Sequence, residues 1–129
     1  MKYEEITKLI LSSAFKVYSS LGNGFQEIIY QRALGLEFSH QTLSSQRELE
    51  MPIYYRELQI GTRRVDFLVE GLIIVELKAI INLEDVHLAQ AINYLEAFNL
   101  EIGMLINFGS KSLQYHRLTN KKFDAMYHQ

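Results

Sequence analysis

The sequence contains no cysteine and a single proline. Without thiols there are neither disulfides nor thiolate metal ligands, so any bound metal must rest on oxygen or imidazole, and a disulfide-free chain suits the cytoplasm. No Gly/Ser-rich linker and no long run of like charge interrupts the chain, which leaves no mark of a domain boundary or of a disordered segment. No apolar stretch approaches the ~20 residues of a membrane span, and the opening MKYEEITKLILSS carries acids where a secretory leader is basic. The expectation is a soluble cytoplasmic protein with no membrane partner. An excess of positive charge is missing as well. The formal net charge is −2, so nothing draws the whole molecule toward nucleic acid, and a basic groove would have to be assembled locally from residues such as Arg47, Arg56, Arg63 and Arg64.

What is present is 129 residues, 48% apolar and 22% charged, which is the size and composition of one globular domain. Residues 1–129 are therefore expected to form a single unit. From Tyr3 to about Ser20, the residues Ile6, Leu9, Ile10, Ala14, Val17 and Leu21 repeat at the three-and-four spacing of a helix face, with Glu4 and Glu5 in its first turn. Gly22 and Asn23 can end this helix, and a second should begin near Phe25 and run to about His40. Alternation then predicts a strand over Arg47–Tyr55, and Leu58–Val69 and Leu72–Ala79 read as two more, joined at Glu70 and Gly71 as an antiparallel hairpin. Asn82 is the expected cap of a third helix whose apolar stripe is Leu83, Val86, Ala91, Leu95 and Phe98. Two final strands are expected at 100–107 and 112–118, with Gly109 in the turn between them. The predicted order is α-α-β-β-β-α-β-β, an α/β (α+β) mixed sheet flanked by helices.

Within this pattern VDFLVEGLIIVELK, residues 65–78, places Asp66, Glu76 and Lys78 in an otherwise apolar hairpin. Glu76 and Lys78 share one strand face. A two-residue loop would put Asp66 opposite Val75 and on the other face, whereas a three-residue loop over Glu70–Leu72, or a bulge, would set it opposite Glu76. One reading is structural: Glu76 paired with Lys78 and Asp66 solvated. If the carboxylates do meet, two of them ~4 Å apart repel by about 4 kcal/mol at an effective dielectric of 20, and Lys78 offsets only one. A divalent cation resolves the conflict, and hard oxygen ligands without clustered histidine favour Mg²⁺ or Mn²⁺ over Zn²⁺. His40, His116 and His128 lack metal-ligand spacing. On the third helix Gln90 and Tyr94 lie four apart, on one face, with His87 on nearly the same stripe.

Asp66 followed by Glu76-Leu77-Lys78 resembles the D…ExK signature of the PD-(D/E)xK nuclease superfamily. Gly24-Phe25-Gln26-Glu27-Ile28-Ile29-Tyr30 resembles the motif of its GxxExxY family, and Gln90 with Tyr94 matches a helical QxxxY. Val65 stands where the superfamily name has proline. The resemblance implies a restriction-endonuclease-like αβββαβ core and a metal-dependent nuclease acting on DNA or RNA. It implies that Asp66, Glu76 and the Leu77 backbone carbonyl hold Mg²⁺ or Mn²⁺, with Glu27 completing the acidic cluster, through a water or directly. Lys78 would orient water or stabilise phosphorane charge, and Gln90 and Tyr94 would face the substrate. With Glu27, Asp66 and Glu76 ionised, these groups and Lys78 sum to −2, the charge of one divalent ion. A nuclease-like fold serving only to bind nucleic acid or protein is the alternative, and the second helix or an edge strand leaves room for a homodimer.

Overall fold

Eight elements follow one another in the predicted order in the computed structural model, which describes residues 3–126: α1 (Glu4–Leu21), α2 (Glu27–His40), β1 (Ser45–Tyr55), β2 (Leu58–Val69), β3 (Ile73–Lys78), α3 (Asp85–Phe98), β4 (Ile102–Asn107) and β5 (Gln114–Thr119). His128 lies outside the described residues. The strands form one five-stranded sheet in the order β1-β2-β3-β4-β5, antiparallel throughout except between β3 and β4. A parallel step needs a crossover, and α3 supplies it.

Helices cover both faces. On one side α1 and α2 pack Ile10, Ala14, Val17, Tyr30, Leu34 and Phe38 against Phe67, Val69, Ile73, Val75 and Leu77. On the other, α3 packs Ala91, Leu95 and Phe98 against Val65, Ile74, Leu105 and Leu118. The central strands β3 and β4 are buried on both faces, which is why IIVEL and IGMLIN read as apolar runs without alternation. Residues 73, 75 and 77 of β3 face α1 and α2, so Ile74, Glu76 and Lys78 face α3.

The starts of two helices differ from the sequence reading for reasons the structure shows. α2 begins at Glu27 with Gln26 as its N-cap, because the Tyr30 hydroxyl donates to the Gly22 carbonyl at 2.5 Å and accepts the Phe25 N–H at 3.1 Å, holding 22–25 as a loop. α3 is capped by Glu84 and not Asn82: the Glu84 side chain accepts from the first turn, and His87 Nδ1 accepts the Glu84 N–H at 2.9 Å. Asn82 is drawn away by Gln114, which donates to its Oδ1 at 3.4 Å. The helix thus starts two residues later than expected, and Val86 is 57% exposed, outside the apolar stripe.

The loop that follows β3 is fixed by one buried side chain. Asn107 Oδ1 accepts the N–H groups of Ile80 at 3.0 Å and Gly109 at 3.1 Å, while its Nδ2 donates to the Ile80 carbonyl and to Gln114 Oε1, each at 2.9 Å. Gly109 must be glycine here, since a Cβ would lie 2.3 Å from the Ile80 nitrogen.

Candidate active site

The turn between β2 and β3 decides where Asp66 falls. Val69 pairs with Ile73, Leu68 with Ile74 and Phe67 with Val75, so Glu70, Gly71 and Leu72 form the three-residue loop that sets Asp66 level with Glu76. Glu70 and Gly71 both adopt positive φ, 55° and 66°. The strain at the non-glycine residue is offset locally: the Glu70 carboxylate accepts the Ser44 N–H at 2.7 Å, and the Glu70 N–H donates to the Ser44 carbonyl at 2.8 Å.

Alternation then slips at Asp66. Phe67 packs on the α1/α2 side, yet Val65, two residues earlier, packs with α3. On β1 the same slip separates Arg47, beside Phe67 and Gly35 of α2, from Leu49, which packs with the α3 cluster. Between them Glu48 takes φ 54°. Regular pairing of β2 with β3 ends at Phe67 and Val75, and the Asp66 carboxylate enters the opening. Its Oδ2 accepts the Leu77 N–H at 2.8 Å, and its Oδ1 accepts Gln31 Nε2 of α2 at 2.8 Å. The Lys78 carbonyl accepts the Phe108 N–H from beyond β4, so the neighbouring Leu77 amide and carbonyl turn the other way, toward β2 and Asp66.

Glu76 is 4% exposed. Its Oε2 receives Arg63 Nη2 at 3.2 Å, while Oε1 is buried with no protein partner. Burial, and after it the Asp66 charge, pushes its carboxyl up to about 7 from an ordinary 4.5, against the opposing pull of Arg63, an Asp66 backbone hydrogen bond and Lys78. Glu27 occupies the first turn of α2, where the helix dipole favours an acid. Its residue surface is exposed, but its carboxyl is also held above the usual range, by partial burial and then by Asp66, with Lys78 and Arg63 opposing. Glu27 thus belongs to the same electrostatic neighbourhood as Asp66 and Lys78.

Glu76, Lys78, Gln90 and Tyr94 line one narrow cavity together with Arg63, His87, Ala91 and Leu105. The Glu76–Lys78 ion pair of the purely structural reading does not form. Arg63 takes Glu76 instead, with its guanidinium over the Tyr94 ring at 4.7 Å. Its reach explains the preference, since Glu76 and Lys78 project side by side from one strand while Arg63 comes from the adjacent β2. Arg63 also changes the charge sum from −2 to −1. Among the described residues no three His, Cys, Asp or Glu side chains are grouped closely enough to hold a metal ion.

Two residues are not placed in this site by the sequence reading, which offers Arg63 only as one of several groove residues. Gln31 stands four residues after Glu27, on the same helix face, and that spacing could have signalled it. Arg63 gave no such signal: alternation assigns it to the face opposite Asp66, and only the slip at Asp66 brings both to one place.

The profile of the PD-(D/E)XK nuclease superfamily matches residues 4–118. The chain belongs to the PD-(D/E)XK nuclease superfamily. A solved structure described as "Crystal structure of SSO0001" superposes with a TM-score of 0.55 at 20% sequence identity, over 92% of this chain and 60% of that one, which speaks for the fold. This chain therefore spans about three fifths of that protein's length. A comparison with curated proteins finds no match. In this PD-(D/E)XK protein the five-stranded mixed sheet and flanking helices form a restriction-endonuclease-like core. No described helix is long and apolar enough to cross a membrane.

Proposed function

We propose that this PD-(D/E)XK protein is a metal-dependent nuclease of the GxxExxY type, with residues 1–129 acting as one nuclease-like domain that hydrolyses phosphodiester bonds in DNA or RNA. One observation carries the reading: the buried Glu76 carboxylate keeps Oε1 unpartnered beside the charge of Asp66, with Lys78 two residues along the same strand face. A buried carboxylate oxygen without a partner is costly unless a donor or cation completes it. Two carboxylates, an adjacent carbonyl at Leu77 and the absence of cysteine suit a hard divalent ion.

In this reading Asp66, Glu76 and the Leu77 carbonyl hold Mg²⁺ or Mn²⁺, with Glu27 contributing through a water. Bound there, the ion supplies positive charge to the scissile phosphate and acidifies a water. Lys78 places an ammonium where negative charge develops on the phosphorus oxygens, while Gln90 and Tyr94 position the substrate along the cavity. Gln31 holds Asp66 in place. A cleavage panel of single-stranded, duplex and structured DNA and RNA, with Mg²⁺, Mn²⁺ or EDTA, tests the proposal; turnover that EDTA abolishes is the expected result. The second reading, a non-catalytic module, is favoured by Arg63, whose charge already meets Glu76. It requires salt-dependent nucleic-acid binding with no turnover on any substrate.

A further inference from the structure

Arg63 is held by interactions that one event would separate. The edge of its guanidinium donates through Nη2 to Glu76 Oε2 at 3.2 Å, and through Nη1 to the Arg64 backbone carbonyl. Its face lies over the Tyr94 ring at 4.7 Å, and Tyr94 in turn stacks on Phe98 with centroids 6.2 Å apart. Nε is buried with no protein partner. Stacking uses the face of the planar group and leaves its edge available, so the contact with Tyr94 persists whether or not Glu76 holds the edge.

A cation at the Asp66 and Glu76 carboxylates would need the same Glu76 charge that Arg63 now meets, and two cations cannot share it without mutual repulsion. Lys78 adds a second positive group to the same cavity. Resting on the cation-site reading given above, we propose that Arg63 is the resident counterion of the metal-free site, which gives up Glu76 when the divalent ion binds and presents its freed edge to a substrate phosphate. A planar fork with several N–H donors suits the non-bridging oxygens of a phosphodiester. Tyr94 acts here as the pivot that keeps the guanidinium in the cavity after its carboxylate partner is lost.

The exchange links two affinities. Cation binding is weakened by Arg63, and nucleic-acid binding is strengthened by the cation, with reciprocal coupling between them. Calorimetric titration of Mn²⁺ at pH 8 into wild type, Arg63→Met, Arg63→Lys and Glu76→Gln reads the first affinity. Anisotropy of fluorescein-labelled DNA and RNA oligonucleotides, in a slow-cleaving Lys78→Met background with and without Mn²⁺, reads the second. Arg63→Met should bind Mn²⁺ about 5-fold or more tightly than wild type, the lower range of typical coupling between sites. Arg63→Lys should stay near wild type, and the Mn²⁺-induced gain in oligonucleotide affinity should vanish in Arg63→Met. If thermal melting shows that Arg63→Met does not fold, Arg63→Gln replaces it in both measurements. Mn²⁺ binding that depends on Glu76 but is no tighter in Arg63→Met overturns the exchange and leaves the cation site standing. An unchanged Mn²⁺-induced gain in Arg63→Met overturns the phosphate contact. Mn²⁺ binding that ignores Glu76→Gln in every variant overturns the cation-site reading and this inference with it.

Discussion

The Leu77 N–H is held by the Asp66 carboxylate, 2.8 Å away, and not by a backbone carbonyl of β2. A side chain has taken the place of a ladder hydrogen bond at the point where β2 and β3 part. The carboxylate proposed to bind metal is therefore also what joins the two strands, and removing its charge cannot be structurally silent.

The first prediction follows from that double role. In Asp66→Asn the remaining carbonyl oxygen can keep the Leu77 N–H, and the new NH₂ then faces Gln31, whose amide must turn to offer its otherwise unpartnered Oε1. The variant should lose about 1 kcal/mol of stability, the exchange of charge-assisted hydrogen bonds for neutral ones. Mn²⁺ affinity should fall at least ~10-fold, because a charged ligand is gone. Glu76→Gln should show a comparable loss of affinity without that effect on the Leu77 and Gln31 hydrogen bonds. Denaturant melts and calorimetry on the two variants separate these effects; equal Mn²⁺ affinity in wild type and both variants would move the metal elsewhere.

The second concerns pH. Glu76 titrates near 7 in the folded chain against an ordinary 4.5, so the native state holds its proton more firmly than the unfolded one. A raised carboxyl value favours folding fully below about 4.5, and that contribution is lost as pH rises through about 7. The metal-free protein should accordingly melt lower at pH 8 than at pH 5.5, by about 5 °C. Glu76→Gln should flatten this slope, and Mn²⁺ should restore stability at pH 8, since the ion binds the ionised carboxylate. A slope that survives in Glu76→Gln would assign the titration to another group.

The third isolates Lys78. Lys78→Met keeps most of the apolar stem and removes the ammonium, and Glu76 retains Arg63 as its partner. Folding and Mn²⁺ affinity should therefore be preserved, or affinity slightly raised. Cleavage should fall by about 10²-fold or more, as when one group that stabilises developing charge is removed. Single-turnover rates give the comparison; a variant that cleaves at the wild-type rate would remove Lys78 from the chemistry.

A fourth reaches the site through its support. The Cβ of Gly109→Ala would meet the Ile80 nitrogen at 2.3 Å and the Ala79 carbonyl carbon at 2.5 Å, both backbone atoms directly after Lys78. That segment is pinned by Asn107 and cannot easily retreat. Destabilisation of about 1–3 kcal/mol, the usual range for overpacking, should appear in urea melts together with altered Mn²⁺ binding. Wild-type stability in this variant would show that the loop yields.

Periodicity and turn signals were enough to place all eight elements in order, because most buried faces repeat at 3.6 or 2 residues and the apolar runs of β3 and β4 are short and bounded by turn residues. The local pattern also determined that Glu76 and Lys78 share a face, that Gln90 and Tyr94 share another, and that a three-residue loop was needed to bring Asp66 level with Glu76. Chain-local rules could not decide which loop forms, because that depends on Glu70 tolerating positive φ through its contact with Ser44, 26 residues earlier. Nor could they reveal Arg63 at Glu76. Alternation sends Arg63 and Asp66 to opposite faces, and they meet only because the paired slip at Glu48 and Asp66 lets a carboxylate enter the sheet between β2 and β3. Side-chain direction along one strand is a local property. The ion pairs of this site depend on how three strands and two helices meet, which only tertiary packing decides.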